Sequence, residues 1–327
     1  MMIAIDINRI KVVQEKFRIE IIGQHNEALK KLNELAPSST ADCIYLYETI
    51  ELFKNESDFL LKSPLDIELL IPSLPAVPLV EKKVKNKIEI VKSSIKNEIL
   101  KALNYTKLRS DFYPAYFKEI GIKACVYCNS SLTVSVDRID NEGRDEVRAK
   151  FQVDHYYPKS EFPMLSISLF NLYPSCASCN NVKLEKKVQF HLYSDDQHLI
   201  DNSSFSFKLS SYDEAKYLLD KKNKDIDFDF IENSNLPEGF SSFQATFDIK
   251  GIYSTQNDLI LDLIDKSLIY DFHYKKSLNH SFPKLFLSKE HFERIILGNY
   301  PRVQDIHKRP MSKFMQDIAR DLGIIDY

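Results

Sequence analysis

The chain has 327 residues, 44% hydrophobic and 28% charged, with no Trp and a formal net charge of −3. This composition excludes a disordered or fibrous chain, and the length predicts two or three domains. No run reaches the roughly 18 apolar residues of a membrane span, and Met1 to Glu20 lacks the apolar centre of a signal peptide. A cytoplasmic protein with no membrane partner is expected. The slight acidic excess also means that a polyanionic ligand would need a local basic face or a second protein to hold it.

Residues 1 to about 62 read as helical. Ile10, Val13, Phe17 and Ile21 recur at three- and four-residue steps, as do Cys43, Leu46, Ile50 and Phe53. The turn residues Pro37-Ser38-Ser39-Thr40 separate the two stretches, with Thr40 as the expected N-cap. Pro64, Pro72, Pro75 and Pro78 then mark a linker or domain edge near residue 79. From Glu81 the spacing of Val84, Ile88, Val91, Ile95 and Ile99 predicts a basic helical stretch carrying Lys82, Lys83, Lys85, Lys87, Lys92, Lys96, Lys101, Lys107 and Arg109. Its charges form a solvated face or track phosphates.

Residues 80–194 contain the chemistry. Alternation in Ser131 to Asp137 and in Val147 to Val153, joined by the polar stretch Arg138 to Arg144, predicts a hairpin that ends at His155. After Pro174 a helix is expected from Ala177, with Asn180 in its first turn and Lys183 one turn later. Beyond residue 195, Phe205 to Leu209 and Phe243 to Ile249 alternate as strands do. Asn257 to Lys276 reads as one long helix with Ile260, Leu263, Ile264 and Leu268 on its apolar side, and a last helix covers Met311 to Leu322. The basic cluster Arg302, His307, Lys308, Arg309 and Lys313 faces solvent or a phosphate backbone, and solvent is the favoured reading. No internal repeat occurs. The fold class is α+β: a helical N-terminal region (1–79), a central module (80–194) and a mixed, helix-rich C-terminal region (195–327).

Four of the five cysteines form two Cys-x-x-Cys pairs, Cys125/Cys128 and Cys176/Cys179. Four thiolates in two knuckles suit a closed tetrahedral zinc site. Zinc there would clamp both ends of the module and be structural, not catalytic. Between the pairs lies Asp154-His155, and Asn180 directly follows the last Cys. A carboxylate from Asp154 and an amide oxygen from Asn180 make a hard, oxygen-rich shell suited to Mg²⁺ or Mn²⁺. His155 can take a proton from water near neutral pH. Asn171 is expected to bond the imidazole or a nearby carbonyl and hold the useful tautomer. Lys159 and Lys183 are candidate phosphate contacts. His191 and His198 have no ligand spacing and read as structural or surface residues.

Asp154-His155-x-x-Pro158, then Asn171, then Cys176-x-x-Cys179-Asn180-x-x-Lys183 resembles the motif of the HNH, or ββα-metal, endonucleases, and the first Cys pair resembles their zinc knuckle. The resemblance covers residues 125 to 192. It implies metal-dependent cleavage of DNA, with His155 as general base, Asp154 and Asn180 as metal ligands and Asn171 as the orienting residue. This chain has Asn180 where the family often has His. The stretch Val153 to Ser160, with Gln189 to Tyr193, also resembles the HNH effectors of bacterial antiphage systems of the Septu and retron-associated kind. That likeness implies an ATPase partner. Two other functions fit the knuckles: a non-catalytic zinc module that docks nucleic acid or protein, and a nuclease inert until a partner gates it.

Overall fold

The computed structural model describes residues 2–37, 39–84, 87–140, 142–203, 205–222, 225–232, 235–284 and 288–325. The N-terminal helices run Ile7–Lys16, Arg18–Asn33 and Thr40–Asn55. Ile10, Val13, Ile21, Leu46, Ile50 and Phe53 are buried as their spacing predicts, but Cys43 is exposed. Ser39, not Thr40, caps the third helix by accepting from Asp42 N–H. Pro64 starts a helix instead of breaking one. It occupies the first turn of Pro64–Leu70, where its missing N–H costs nothing, behind a reciprocal Ser63/Asp66 capping box.

The helix expected from Glu81 is absent before Ile95. Leu79–Val84 and Lys87–Lys92 pair as an antiparallel hairpin in the register Leu79↔Lys92 to Val84↔Lys87. Ile88 and Ile90 are exposed on it, and Lys85 lies outside the described residues. Val and Ile here fall at both two-residue and four-residue steps, and β-branched side chains favour the extended option. Within the apolar stripe only Ile95–Ala102 is helical, with Ile95 and Ile99 buried.

In the central module the predicted hairpin exists with shifted edges, Ser135–Ile139 pairing with Asp145–Ala149. His155 lies on a separate strand, Gln152–His155, antiparallel to Leu172–Ser175 with His155 opposite Leu172. Helix Ala177–Lys183 follows directly, and the Cys176 side chain caps it. Strand, strand and helix are thus consecutive partners.

In the C-terminal region Phe205–Leu209 pairs with Phe228–Glu232. Residues 243–249 are not a strand: Phe243–Phe247 is a short helix capped by Ser242, followed by helix Ile249–Ser254. Phe243 and Phe247 are both buried because a four-residue step suits a helix as well as alternation does. The long helix is divided into Asn257–Ile269 and Phe272–Ser281, because Asp271 caps the second by accepting from Tyr274 N–H at 2.7 Å. Leu268 is exposed, outside the buried row of Ile260, Leu263 and Ile264. Helix Ser312–Asp321 matches its expectation. The basic cluster is not one solvated face: His307 and Lys313 are buried, and Lys313 pairs with Asp317 at 2.6 Å.

One connected cluster of buried apolar side chains runs from Met2 to Ile325. Strand Ile5–Asp6 pairs in parallel with Tyr193–Ser194, and Lys187–Val188 with Phe240–Ser241. The C-terminal helix accepts backbone N–H groups of Phe207 and Leu209 on Asp317 and Asp321. Both flanks therefore brace the module. Among the described residues no helix is long and apolar enough to cross a membrane.

Candidate metal centre and active site

The four knuckle cysteines come together. Their sulfurs all lie within 4.8 Å of one another, and Cys128 and Cys176 Sγ are 3.9 Å apart. A tetrahedron with Zn–S bonds of about 2.3 Å has S···S edges of about 3.8 Å. The thiols are free, not disulfides. Backbone N–H groups of Cys176 and Cys179 donate to Cys125 Sγ at 3.3 Å and Cys176 Sγ at 3.5 Å. Ser130 Oγ donates to Cys128 Sγ at 3.1 Å. Asn129 adopts the left-handed conformation (φ 52°) that turns the first knuckle. Its amide donates to Ile306 O and accepts from Lys313 N–H, so the C-terminal region fixes that turn. Burial pushes the Cys125 thiol well above its ordinary range, while bonding from Cys125 pulls Cys128 down and Cys176 down to about 7. A cluster this buried ionises fully only beside a cation. The four cysteines cluster at metal-binding distance, an arrangement compatible with zinc.

Beside it lies a cleft of about 230 Å³ lined by Asp154, His155, Lys159, Ser160, Asn180 and Glu185, among others. The strand pair presents Asp154 and His155, and the helix presents Asn180. Asp154 Oδ2 accepts from Tyr127 Oη at 2.5 Å and pairs with Lys183 Nζ at 2.8 Å. That leaves Oδ1 without a protein partner. Asn180 Nδ2 donates to Gln152 Oε1 at 2.7 Å, which turns the amide and leaves its Oδ1 without a partner. His155 Nε2 lies 3.0 Å from Ser166 O. A carbonyl only accepts, so Nε2 carries the hydrogen and Nδ1 keeps its lone pair. Among the described residues, three acceptors on one cleft are thus unengaged. Two are hard oxygens and one is an imidazole nitrogen, a donor set that fits a divalent cation next to a base. Burial pushes the His155 imidazole down to about 3, against the Ser166 bond and helped by Lys159 and Lys183, so it is neutral at pH 7.

Compared with known proteins, the chain matches no family model, no curated protein and no solved structure.

Asn171 does not bond the imidazole but meets the other expectation, a nearby carbonyl: it accepts from Tyr157 N–H at 2.7 Å and donates to the carbonyls of Tyr157 and Leu165, pinning the turn whose next carbonyl, Ser166, meets His155. One expected lysine contact falls elsewhere. Lys183 is not free for phosphate: it is 1% exposed, held by Asp154 and by His155 O at 3.2 Å. Lys159 is on the surface at the cleft, its Nζ 4.8 Å from the Tyr105 ring centre, and that ring lies 5.0 Å from the His155 ring. His191 packs on Tyr156, and His198 is exposed in a helix capped by Asp196. The sequence reading missed Tyr127, Gln152 and Ser166. Tyr127 was findable in part, because a residue between two metal-binding cysteines is held beside whatever they pin.

Proposed function

We propose that the chain is a metal-dependent endonuclease of the HNH kind, hydrolysing phosphodiester bonds in DNA, with zinc on its four cysteines. The observation that supports this best is the cleft itself: among the described residues Asp154 Oδ1, Asn180 Oδ1 and His155 Nδ1 all lack partners, on a strand pair and the helix that follows it. His155 Nδ1 takes the proton of the attacking water. The Ser166 carbonyl holds the opposite N–H, so the ring needs no tautomer change before it acts as a base. Tyr127 and Lys183 hold Asp154 by one oxygen and aim the other at the cleft. Asp154 and Asn180 would hold a Mg²⁺ or Mn²⁺, which supplies polarisation of the scissile phosphate and charge stabilisation on the leaving 3′ oxygen. Oxygen donors favour these ions over Zn²⁺ or Ni²⁺. A role as an antiphage effector beside an ATPase is proposed from the sequence resemblance, and the net charge of −3 suits a partner that shares DNA binding.

The test is nicking of supercoiled plasmid by the purified chain with Mg²⁺, with and without chelator, against His155→Ala. General-base loss should lower the rate by about 10²–10⁴-fold. Equal nicking by variant and wild type would end the nuclease reading and favour a zinc module that binds without cutting.

A further inference from the structure

Next to the cleft lies an open groove of about 560 Å³, larger than the cleft itself. Helix Tyr105–Asp111 forms one wall with Thr106, Arg109 and Ser110. Strand Asp145–Ala149, with Glu146 and Arg148, forms the other together with Phe151 and with Gln152 at the start of strand Gln152–His155. Gln152 is common ground: it lines the groove and accepts from Asn180, which lines the cleft. Lys159 gives a second join. Its ammonium sits over Tyr105, one helical turn before Arg109 and on the same face.

The charges are uneven. Arg109 is exposed and has no carboxylate partner among the described residues. Arg148 shares the carboxylate of Glu146, which also lines the groove, with Arg138 outside it, at 2.9 and 3.1 Å, so Arg109 and Arg148 against Glu146 leave the groove one positive charge in excess. The other flank of the cleft is opposite in character. There a cavity of about 430 Å³ is lined by Glu68, Glu161 and Glu185 against Lys187, with Tyr156, Tyr157 and Phe162, and Glu161 is paired with Lys92. Glu68 and Glu161, on the side away from the groove, would repel a phosphodiester chain, while Arg109, Arg148 and the Thr106 hydroxyl suit one.

We propose that the Arg109–Arg148 groove holds the sugar–phosphate backbone of the nucleic-acid strand beside the scissile bond, so that substrate extends from the cleft toward Phe151 and away from Glu68. This rests on the nuclease reading for its link to cleavage. It also answers the charge problem: a chain with net acidity carries its phosphate contacts on one local track. Arg109 and Arg148 fix the strand and carry no base preference.

The test measures binding of a fluorescent oligonucleotide by the zinc-loaded full chain in a His155→Ala background, across a salt series. Arg109→Glu with Arg148→Glu should weaken binding by about tenfold or more and flatten the salt dependence by roughly 0.7–0.9 per arginine. Lys30→Glu with Lys54→Glu makes the same charge change on the N-terminal helices, which do not line the groove. It should shift affinity by about twofold at most. Equal losses in the two variants, or none in the groove variant, would overturn the assignment. Arg109→Gln with Arg148→Gln replaces the reversal if melting shows that it does not fold. The wild type is also assayed on bis(4-nitrophenyl) phosphate, a diester too short to reach the groove. Hydrolysis of that ester with binding unaffected by the arginines would remove the groove and leave the nuclease. Arginine-dependent binding without hydrolysis of the ester or plasmid would remove the nuclease and leave the groove.

Discussion

The sulfur centre and the cleft are built on opposite principles, although Cys179 and Asn180 are adjacent in the chain. Around the sulfurs donors are supplied: two backbone N–H groups and the Ser130 hydroxyl point at thiols, and Asn129 and Tyr253 tie the first knuckle to the C-terminal region. Around the cleft each reactive side chain is bonded at one atom and bare at the other. Asp154 is held at Oδ2, Asn180 at Nδ2 and His155 at Nε2. Saturation produces a closed site that contributes stability. Half-saturation gives a fixed site that still has something to offer a ligand. The difference predicts that damage to the first is read in folding and damage to the second in activity.

The largest effect should come from the sulfurs. Structural zinc sites contribute on the order of 10 kcal/mol, close to the whole stability of a typical domain. Cys125→Ser, or prolonged chelation, should therefore abolish the cooperative melting transition and drop the zinc content from one per chain to near zero. A Cys125→Ser chain that melts like wild type would show that the packing alone holds the module.

Lys183 sharpens the comparison because it belongs to both regions. The sequence presents it as a candidate phosphate contact, but it is 1% exposed and pairs with a 6% exposed Asp154. Removing one partner of a buried pair leaves the other charge uncompensated, at a cost of about 3–5 kcal/mol. Lys183→Met should lower stability by that amount, measured by urea unfolding. A lysine that merely touched substrate would raise KM and leave the unfolding midpoint alone.

His307 offers a pH test of the sulfur side. Its carbonyl accepts from Lys123 and Ala124 N–H, directly before Cys125, and its Nε2 meets Ile3 O at 3.0 Å. Burial pushes the imidazole down to about 4, and Nδ1 is buried without a partner. The unfolded chain takes up a proton near pH 6.5 and the folded chain only near 4. Stability is thus fully present above about 6.5 and is lost as pH falls toward 4, by about 3 kcal/mol. His307→Gln keeps a donor for Ile3 and removes the titration. The wild type should lose more stability than the variant between pH 7 and 4. Parallel curves would mean that the group does not titrate differently in the two states.

How much of this was legible in the sequence follows from what kind of atom does the work. Cys125, Cys128, Cys176 and Cys179 announce themselves because thiolate chemistry is tied to residue type. The Asp154-His155 pair and the Asn180 helix do so because their spacing restricts them to one unit. Ser166 could not be read, because the atom that fixes the imidazole is a backbone carbonyl, and any residue in the short 3₁₀ segment Pro163–Ile167 would supply it. Lys183 was misread because its type suggests solvent, although its place three residues after Asn180 sets it on that face of the helix. The 79–92 hairpin and the 243–254 helices were missed for a different reason. Their apolar residues satisfy both periods, and tertiary packing decides between them.

The smallest predicted effect bears most directly on whether the two regions are separate at all. Tyr127 stands inside the first knuckle, 1% exposed and stacked on Phe247 at 4.9 Å, and its hydroxyl donates to Asp154 Oδ2. Tyr127→Phe keeps the ring and removes only that donor, so the zinc content should remain one per chain. A hydrogen bond to a charged group contributes about 1.5–3 kcal/mol, part of which Lys183 retains by holding the same oxygen. What the variant loses is the second point that fixes the carboxylate plane. The Mg²⁺ concentration for half-maximal cleavage should then rise by roughly threefold to tenfold, for the about 1 kcal/mol lost from positioning. If zinc content, stability and Mg²⁺ dependence all stay as in wild type, the sulfurs brace the module without aiming Asp154. If only the Mg²⁺ dependence moves, the knuckle is part of the active site's own scaffolding.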